Sequence, residues 1–191
     1  MRSLLKISRA IDALLVALGK IGSFALLGLM ITVMFDVVTR RFANLGSTRL
    51  QEAEWHFHTI LIMLSLGLAY IKDSHVRIDL IHATLSPRKK AWIELLGGLF
   101  LLLPFCGFAG YFATQLAWTS YIRGEVSQSV DGLPFRFAIK AMLPLGIYLV
   151  ALAGISRISL ALITLRRPDL LPPPPTSHMP HTTDAAVMET R

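Results

Sequence analysis

Leu95–Leu116 reads LLGGLFLLLPFCGFAGYFATQL, 22 residues without one Asp, Glu, Lys or Arg. A bilayer core of about 30 Å asks for about 20 helical residues, so a run of this length and apolarity reads as one crossing. Three more apolar stretches lie around it, centred on Ile21–Val38, Trp55–Ile71 and Ala141–Ser156. Each reaches spanning length by recruiting flanking residues whose charged ends snorkel, such as Lys20 and Lys140. The expected fold is an all-α integral membrane protein with four transmembrane helices, at about residues 20–38, 54–71, 93–117 and 138–157.

Composition points the same way. Apolar residues make up 53% of the chain and charged residues 16%, well under the roughly 25% charged of soluble domains. The net charge of +7 is spread over the ends of the apolar segments and is not gathered with aromatics into one stripe. That pattern suits anionic lipid headgroups and excludes a nucleic-acid groove. Cys106 is the single cysteine and sits mid-stretch, so no internal disulfide forms and an inert buried thiol is expected.

Orientation follows from where Lys and Arg collect, because cytoplasmic connections accumulate them. Thirteen fall in the N-terminal segment, the connection between the second and third spans, and the C-terminal end; six fall in the other two connections. Both termini are therefore expected in the cytoplasm.

Leu4, Ile7, Ile11, Leu14, Leu15 and Leu18 share one face of a helix, opposite Arg2, Lys6, Arg9, Asp12 and Lys20. Residues 1–19 are thus expected as an amphipathic interfacial helix preceding the first span, with an extension of that span as the other reading. A short apolar run with a small-residue cleavage site is not evident, so no signal peptide is expected. Near the other end, Arg157 is expected to mark the cytoplasmic boundary of the fourth span, with Ile158–Leu165 continuing along the interface. Residues 167–191 contain Pro172–Pro175 and little apolar surface, and are expected as a disordered cytoplasmic tail. No internal repeat of the kind found in complete secondary transporters is convincing.

Chemistry-bearing residues are sparse within the spans. His56 and His58 open the second span, His75 and His82 follow it, and His178 and His181 lie in the tail. Two imidazoles from facing helices at one depth, as bis-histidine haem requires, are not expected. The spacing of two in Glu52, Glu54, His56 and His58 spreads these groups around a helix and reads as a wet interfacial cluster. No catalytic, cofactor or metal site is expected, and the chain does not read as an enzyme. Asp36 and Glu94 lie near span ends, within reach of headgroups or loop cations. Gln115 is polar inside the outer part of the third span and suits a hydrogen bond to another helix or a partner. Pro104 and Pro144 read as kinks, and Gly97-Gly98 and Gly107-x-x-Gly110 as places of close helix approach.

The connections carry a more specific signal. Leu50-Gln51-Glu52-Ala53-Glu54-Trp55-His56 opens the second helix, and Asp73-Ser74-His75-Val76-Arg77-Ile78-Asp79 and Leu85-Ser86-Pro87-Arg88-Lys89-Lys90-Ala91-Trp92 follow it. Gly124-Glu125-Val126-Ser127, Gly132-Leu133-Pro134-Phe135-Arg136 and Ile139-Lys140-Ala141-Met142-Leu143-Pro144-Leu145-Gly146 complete the series. In order and placement, from about Phe35 to Arg157, it resembles the small membrane subunit (Q, DctQ-like) of tripartite ATP-independent periplasmic (TRAP) transporters. Many members place the two acids directly after the Trp, whereas here Glu52 and Glu54 precede Trp55. This departure resembles a subgroup associated with keto acids, hydroxy acids and similar carboxylates.

The resemblance implies a scaffold role in the bacterial inner membrane. A periplasmic binding protein would capture an organic acid, a large permease subunit would carry it inward with sodium, and the small subunit would pack against the large one. Arg40, Glu52, Glu54, Trp55, Gln115 and Glu125 are the candidate subunit-interface or docking residues. His75, Arg77 and Asp79 are candidates for organising the cytoplasmic connection. Arg40, Arg41 and Arg49 are expected to pair with Glu52 and Glu54. The rival readings are a membrane anchor of a redox complex and an independent small transporter.

Overall fold

A computed structural model describes residues 1–43, 46–72, 85–129 and 131–167. Those residues form helices α1 (Arg2–Phe42), α2 (Thr48–Ile71), α3 (Pro87–Gly97), α4 (Leu103–Ile122) and α5 (Arg136–Arg166). One π-helical turn, Gly98–Leu102, joins α3 to α4, so Pro87–Ile122 is a single rod. The turn widens where Leu103 N–H reaches back to Gly98 O, immediately before Pro104, which has no N–H to offer. Pro144 is buried within α5, and the helix continues through it.

Among the described residues, three helical segments are long and apolar enough to cross a membrane: Ser3–Phe42, Pro87–Ile122 and Arg136–Arg166. α2 carries Arg49, Glu52, Glu54, His56 and His58 in its first half, and these polar side chains keep it below that standard despite a length of about 36 Å at 1.5 Å per residue.

The packing order follows from which side chains meet. Gly19, Gly22 and Gly28 of α1 lie against Leu68, Leu64 and Phe57 of α2, so the two helices run antiparallel. A Cβ on Gly19 or Gly22 would come within 2.8 and 2.9 Å of a leucine Cβ on α2, and the missing side chains let the backbones approach. α2 and α5 run in the same direction, with Met63 against Gly146 and Gly67 against Leu149. The α3–α4 rod lies antiparallel to α5, with Gly98 against Ile158, Leu102 against Gly154 and Gly110 against Tyr148. α5 touches every other helix and is the centre of the assembly.

The core is built from Leu15 of α1, Leu64 and Ile71 of α2, and Leu149 and Ala153 of α5. Leu15 is wholly buried, which changes the reading of the N-terminal residues. α1 passes residue 19 without a break, as one helix about 60 Å long. The expected apolar face divides: Ile11, Leu15 and Leu18 pack inward, while Ile7 and Leu14 are exposed. Asp12, assigned to the polar side, instead accepts a hydrogen bond from Ser156 Oγ of α5 at 2.6 Å. The buried Ser8 hydroxyl lies 2.8 Å from that same Ser156 oxygen. These polar contacts bind the first turns of α1 to α5. Beyond Arg157, α5 continues through Ile158–Leu165 to Arg166 with Ser159, Ala161 and Ile163 buried, and α3 packs along it.

Candidate interaction surfaces

The polar end of the assembly gathers around Glu52, which stands just past the first turn of α2 and is buried. Ser127 Oγ donates to Glu52 Oε1, Leu133 N–H donates to Oε2 at 2.5 Å, and Arg136 Nη2 stands 3.8 Å from Oε1. One carboxylate from α2 therefore fastens both the connection after α4 and the start of α5. The connection is shaped to allow this. Gly124 ends α4 with φ 55°, and its N–H returns to Tyr121 O at 3.1 Å. A Cβ on Gly132 would overlap the Ser127 side chain, so only glycine leaves room for Ser127 and Glu52 to meet. Phe135 holds φ 64°, uncommon for an aromatic residue, and starts α5 so that Arg136 N–H reaches Glu125 O at 3.3 Å.

Glu125 pairs with Lys140 Nζ, one turn into α5 from Arg136. Two carboxylates, Glu52 and Glu125, and two cations, Arg136 and Lys140, thus form a neutral set. The Ser127 hydroxyl and the Leu133 N–H hold the Glu52 carboxyl below the ordinary carboxylate range, with Arg136 and His56 adding to the effect. Lys140 lowers the Glu125 carboxyl in the same way. His56 Nδ1 lies 2.6 Å from the Glu52 carbonyl oxygen; a carbonyl can only accept, so the ring donates and its proton sits on Nδ1.

The expected pairing of Arg40, Arg41 and Arg49 with Glu52 and Glu54 is not what the structure shows. Arg40 Nη2 bonds Asp36 Oδ2 at 2.6 Å on its own helix, and the Gln51 amide, with its oxygen turned toward the guanidinium, accepts from Arg40 at 2.8 Å. Arg49 Nε donates to Asp131 O at 2.9 Å. Glu52 finds its cation in Arg136, 84 positions later, while Arg40 and Arg49 are engaged elsewhere. Asp36 is buried, and its Oδ1 has no partner among the described residues.

Trp55, 65% exposed, forms a wall shared by two clefts. One, of about 230 Å³, is lined by Glu52, Trp55, His56, Arg136, Ile139 and Lys140. The other, of about 300 Å³, includes Gln51, Ser127 and Ser129. Glu54 is partly exposed beside them on α2. Gln115 lies apart from this cluster, exposed on α4, with its Nε2 donating to Tyr111 OH at 3.0 Å. Of the six interface candidates, the structure therefore brings Glu52, Trp55 and Glu125 to one polar end. Arg40 is engaged at the end of α1, and Gln115 belongs to a different surface. His75, Arg77 and Asp79 lie outside the described residues.

Arg136, Lys140, Ser127 and Gly132 were not singled out as site residues from sequence. The Gly132-Leu133-Pro134 turn signal was visible, but not its aim at a carboxylate on α2. Among the described residues, no group of three or more His, Cys, Asp or Glu comes together as a metal site would require.

Comparison with protein families matches residues 29–164 to the family described as "Tripartite ATP-independent periplasmic transporters, DctQ component". The match begins within α1 and ends within the last turn of α5, taking in α2, the rod and the polar end between them. Comparison with curated proteins and with solved structures gave no match. By the extent of the family match, which takes in most of the chain, this protein belongs to the DctQ component family of tripartite ATP-independent periplasmic transporters.

Proposed function

We propose that this chain is the small scaffold subunit of a TRAP transporter that imports an organic acid with sodium, beside a large permease subunit and a periplasmic binding protein. In this reading α2 is a fourth pass, antiparallel to α1 as its contacts require, so that both termini lie in the cytoplasm of a bacterium's inner membrane. The exposed Phe24, Ile31, Met34 and Phe35 of α1, with Phe105 and Phe108 of α4, meet acyl chains or the partner.

The observation that carries the reading is the arrangement of charge at the polar end. Glu52, Glu125, Arg136 and Lys140 engage one another and tie α2, the connection after α4 and α5 into one body. Charges so engaged serve shape. A fixed body against which a larger subunit moves is the task that such bracing suits. The outer rim offers Trp55 and Glu54 for contact with the docked binding protein, while Glu52 acts behind them as a clamp. His75, Arg77 and Asp79 are assigned to the cytoplasmic connection between α2 and α3.

The test is reconstitution into liposomes under a sodium gradient. This chain alone should give no uptake of keto acids, hydroxy acids or other small carboxylates, and uptake should appear once the large subunit and the binding protein are added. Robust uptake by this chain alone would overturn the scaffold role.

A further inference from the structure

The surface of α4 opposite its buried Cys106 and Ala113 is apolar except for one patch, formed where α4 meets Tyr148 of α5. Tyr111, Thr114, Gln115, Trp118 and Tyr148 line a cleft of about 240 Å³ there. Thr114 Oγ1 donates to Gly110 O at 2.7 Å, so at the 3.1 Å contact between the hydroxyls Tyr148 is the donor and Thr114 the acceptor. Gln115 Nε2 donates to Tyr111 OH at 3.0 Å. After these bonds, the Tyr111 hydroxyl proton and Gln115 Oε1 have no partner among the described residues.

Depth makes those two groups informative. Gln115 lies seven residues before the end of α4 at Ile122, about 10 Å along the axis. The Trp118 and Tyr121 rings lie 5.8 Å apart and nearer that end, and a Trp–Tyr pair near a helix end is the kind of group that aromatic belts set at headgroup level. Gln115 nevertheless points the other way, toward Tyr111 one turn deeper, and does not reach for the interface. In hydrocarbon, an unsatisfied donor and acceptor side by side have no lipid partner. The opposite flank, where Met30, Ile31, Met34, Phe35 and Val38 of α1 line a wholly apolar hollow, presents no such groups.

From this contrast we infer that the Tyr111–Gln115–Tyr148 cleft receives a transmembrane helix of the large permease subunit, one that offers a hydrogen-bonding side chain or an exposed backbone carbonyl to Tyr111 and Gln115. The inference rests on the scaffold reading and specifies its contact surface. The α1 flank is left to lipid.

The experiment uses the full chain co-expressed with its large subunit. A photoreactive benzoylphenylalanine replaces Trp118 in one variant and Ile31 in another, and adducts are identified by mass after illumination. The Trp118 variant should capture the large subunit and the Ile31 variant should not. Tyr111→Phe combined with Gln115→Leu should weaken recovery of the large subunit by about 3- to 20-fold, the range that interhelical hydrogen bonds in membranes span. The melting of the isolated small subunit should stay unchanged, because these side chains are exposed. Capture only from Ile31 would overturn the inference and leave the scaffold reading standing. Adducts of two small subunits, or of lipid alone, from a Trp118 variant that still co-purifies the large subunit would do the same. Failure of the wild-type chain to co-purify the large subunit would overturn both.

Discussion

Replacing Leu15 with Ala asks whether the first turns of α1 belong to the packed body or lie apart at the interface. Leu15 is wholly buried against Leu64, Ile71, Leu149 and Ala153, while its neighbour Leu14 is 48% exposed. In water such a truncation costs about 2–5 kcal/mol, as lost transfer energy plus a cavity term of about 24 cal/mol per Å³. Lipid and detergent tails are as apolar as leucine, so the transfer part largely vanishes and the cavity part remains. For a residual cavity of roughly 60–80 Å³ that part is about 1.5–2 kcal/mol. At about 2–4 °C per kcal/mol for a chain of this size, the midpoint falls by about 3–8 °C. Cys106, the single cysteine and 2% exposed, supplies the readout: a thiol-reactive fluorophore in detergent lights up as the helices separate. Leu14→Ala is the matched control and should shift the midpoint by under about 1 °C, as surface truncations do. Equal small shifts for both variants would refute the packed assignment and restore a separate interfacial helix.

The clamp at the polar end yields further predictions. Glu52→Gln should raise hydrogen exchange across residues 126–135, because Ser127 Oγ and Leu133 N–H lose a charged acceptor, whereas Glu54→Gln should leave it unchanged; equal protection in both variants would remove Glu52 from the clamp. Both Glu52 and Glu125 carry depressed folded-state pKa values, so their stabilisation is fully present above the unfolded carboxylate range near pH 4.3 and is lost as pH falls through the lower folded values. The midpoint gap between wild type and the Glu52→Gln, Glu125→Gln double variant should therefore hold steady above about pH 5 and close on further acidification; a gap that widens in acid would contradict the assignment. Gly132→Ala should lower the midpoint, since its Cβ displaces the Ser127 side chain from Glu52, and a neutral result would mean the connection has room the structure does not show. In a Cys106→Ser background, Gly46→Cys should react with a membrane-impermeant thiol reagent on intact cells and Ser86→Cys should not; the reverse pattern would invert the topology.

The rod was legible because nothing competes with an apolar reading of Leu95–Leu116, and it appears as Pro87–Ile122. The sequence offered α1 both as two pieces and as one lengthened span, and the structure has one continuous helix, Arg2–Phe42. Lys20 interrupts the hydropathy but points outward, and Gly19 and Gly22, which carry the contact with α2, look like gaps in a pattern that counts apolar side chains. Helix faces are also harder to assign where both surroundings are apolar, so Ile7 and Leu14 grouped with Ile11, Leu15 and Leu18 on one apolar face although only the latter three pack inward. Asp12 read as solvated because its partner, Ser156, lies 144 positions away. The same blindness to distant partners hid the clamp: Glu52 read as a docking acid, while the Leu133 N–H and Ser127 hydroxyl that bind it announce nothing in sequence. Gln115 was legible as a polar residue in an apolar run, but only the structure shows it turned toward Tyr111.

The central claim is that this chain keeps a fixed shape while the large subunit moves. Pulsed electron spin resonance tests it in the assembled transporter, with labels on Gly46→Cys and Arg123→Cys at the polar end in a Cys106→Ser background. One distance distribution, the same with and without sodium, substrate and binding protein, is the expected result. A shift of several ångströms between those conditions would contradict it.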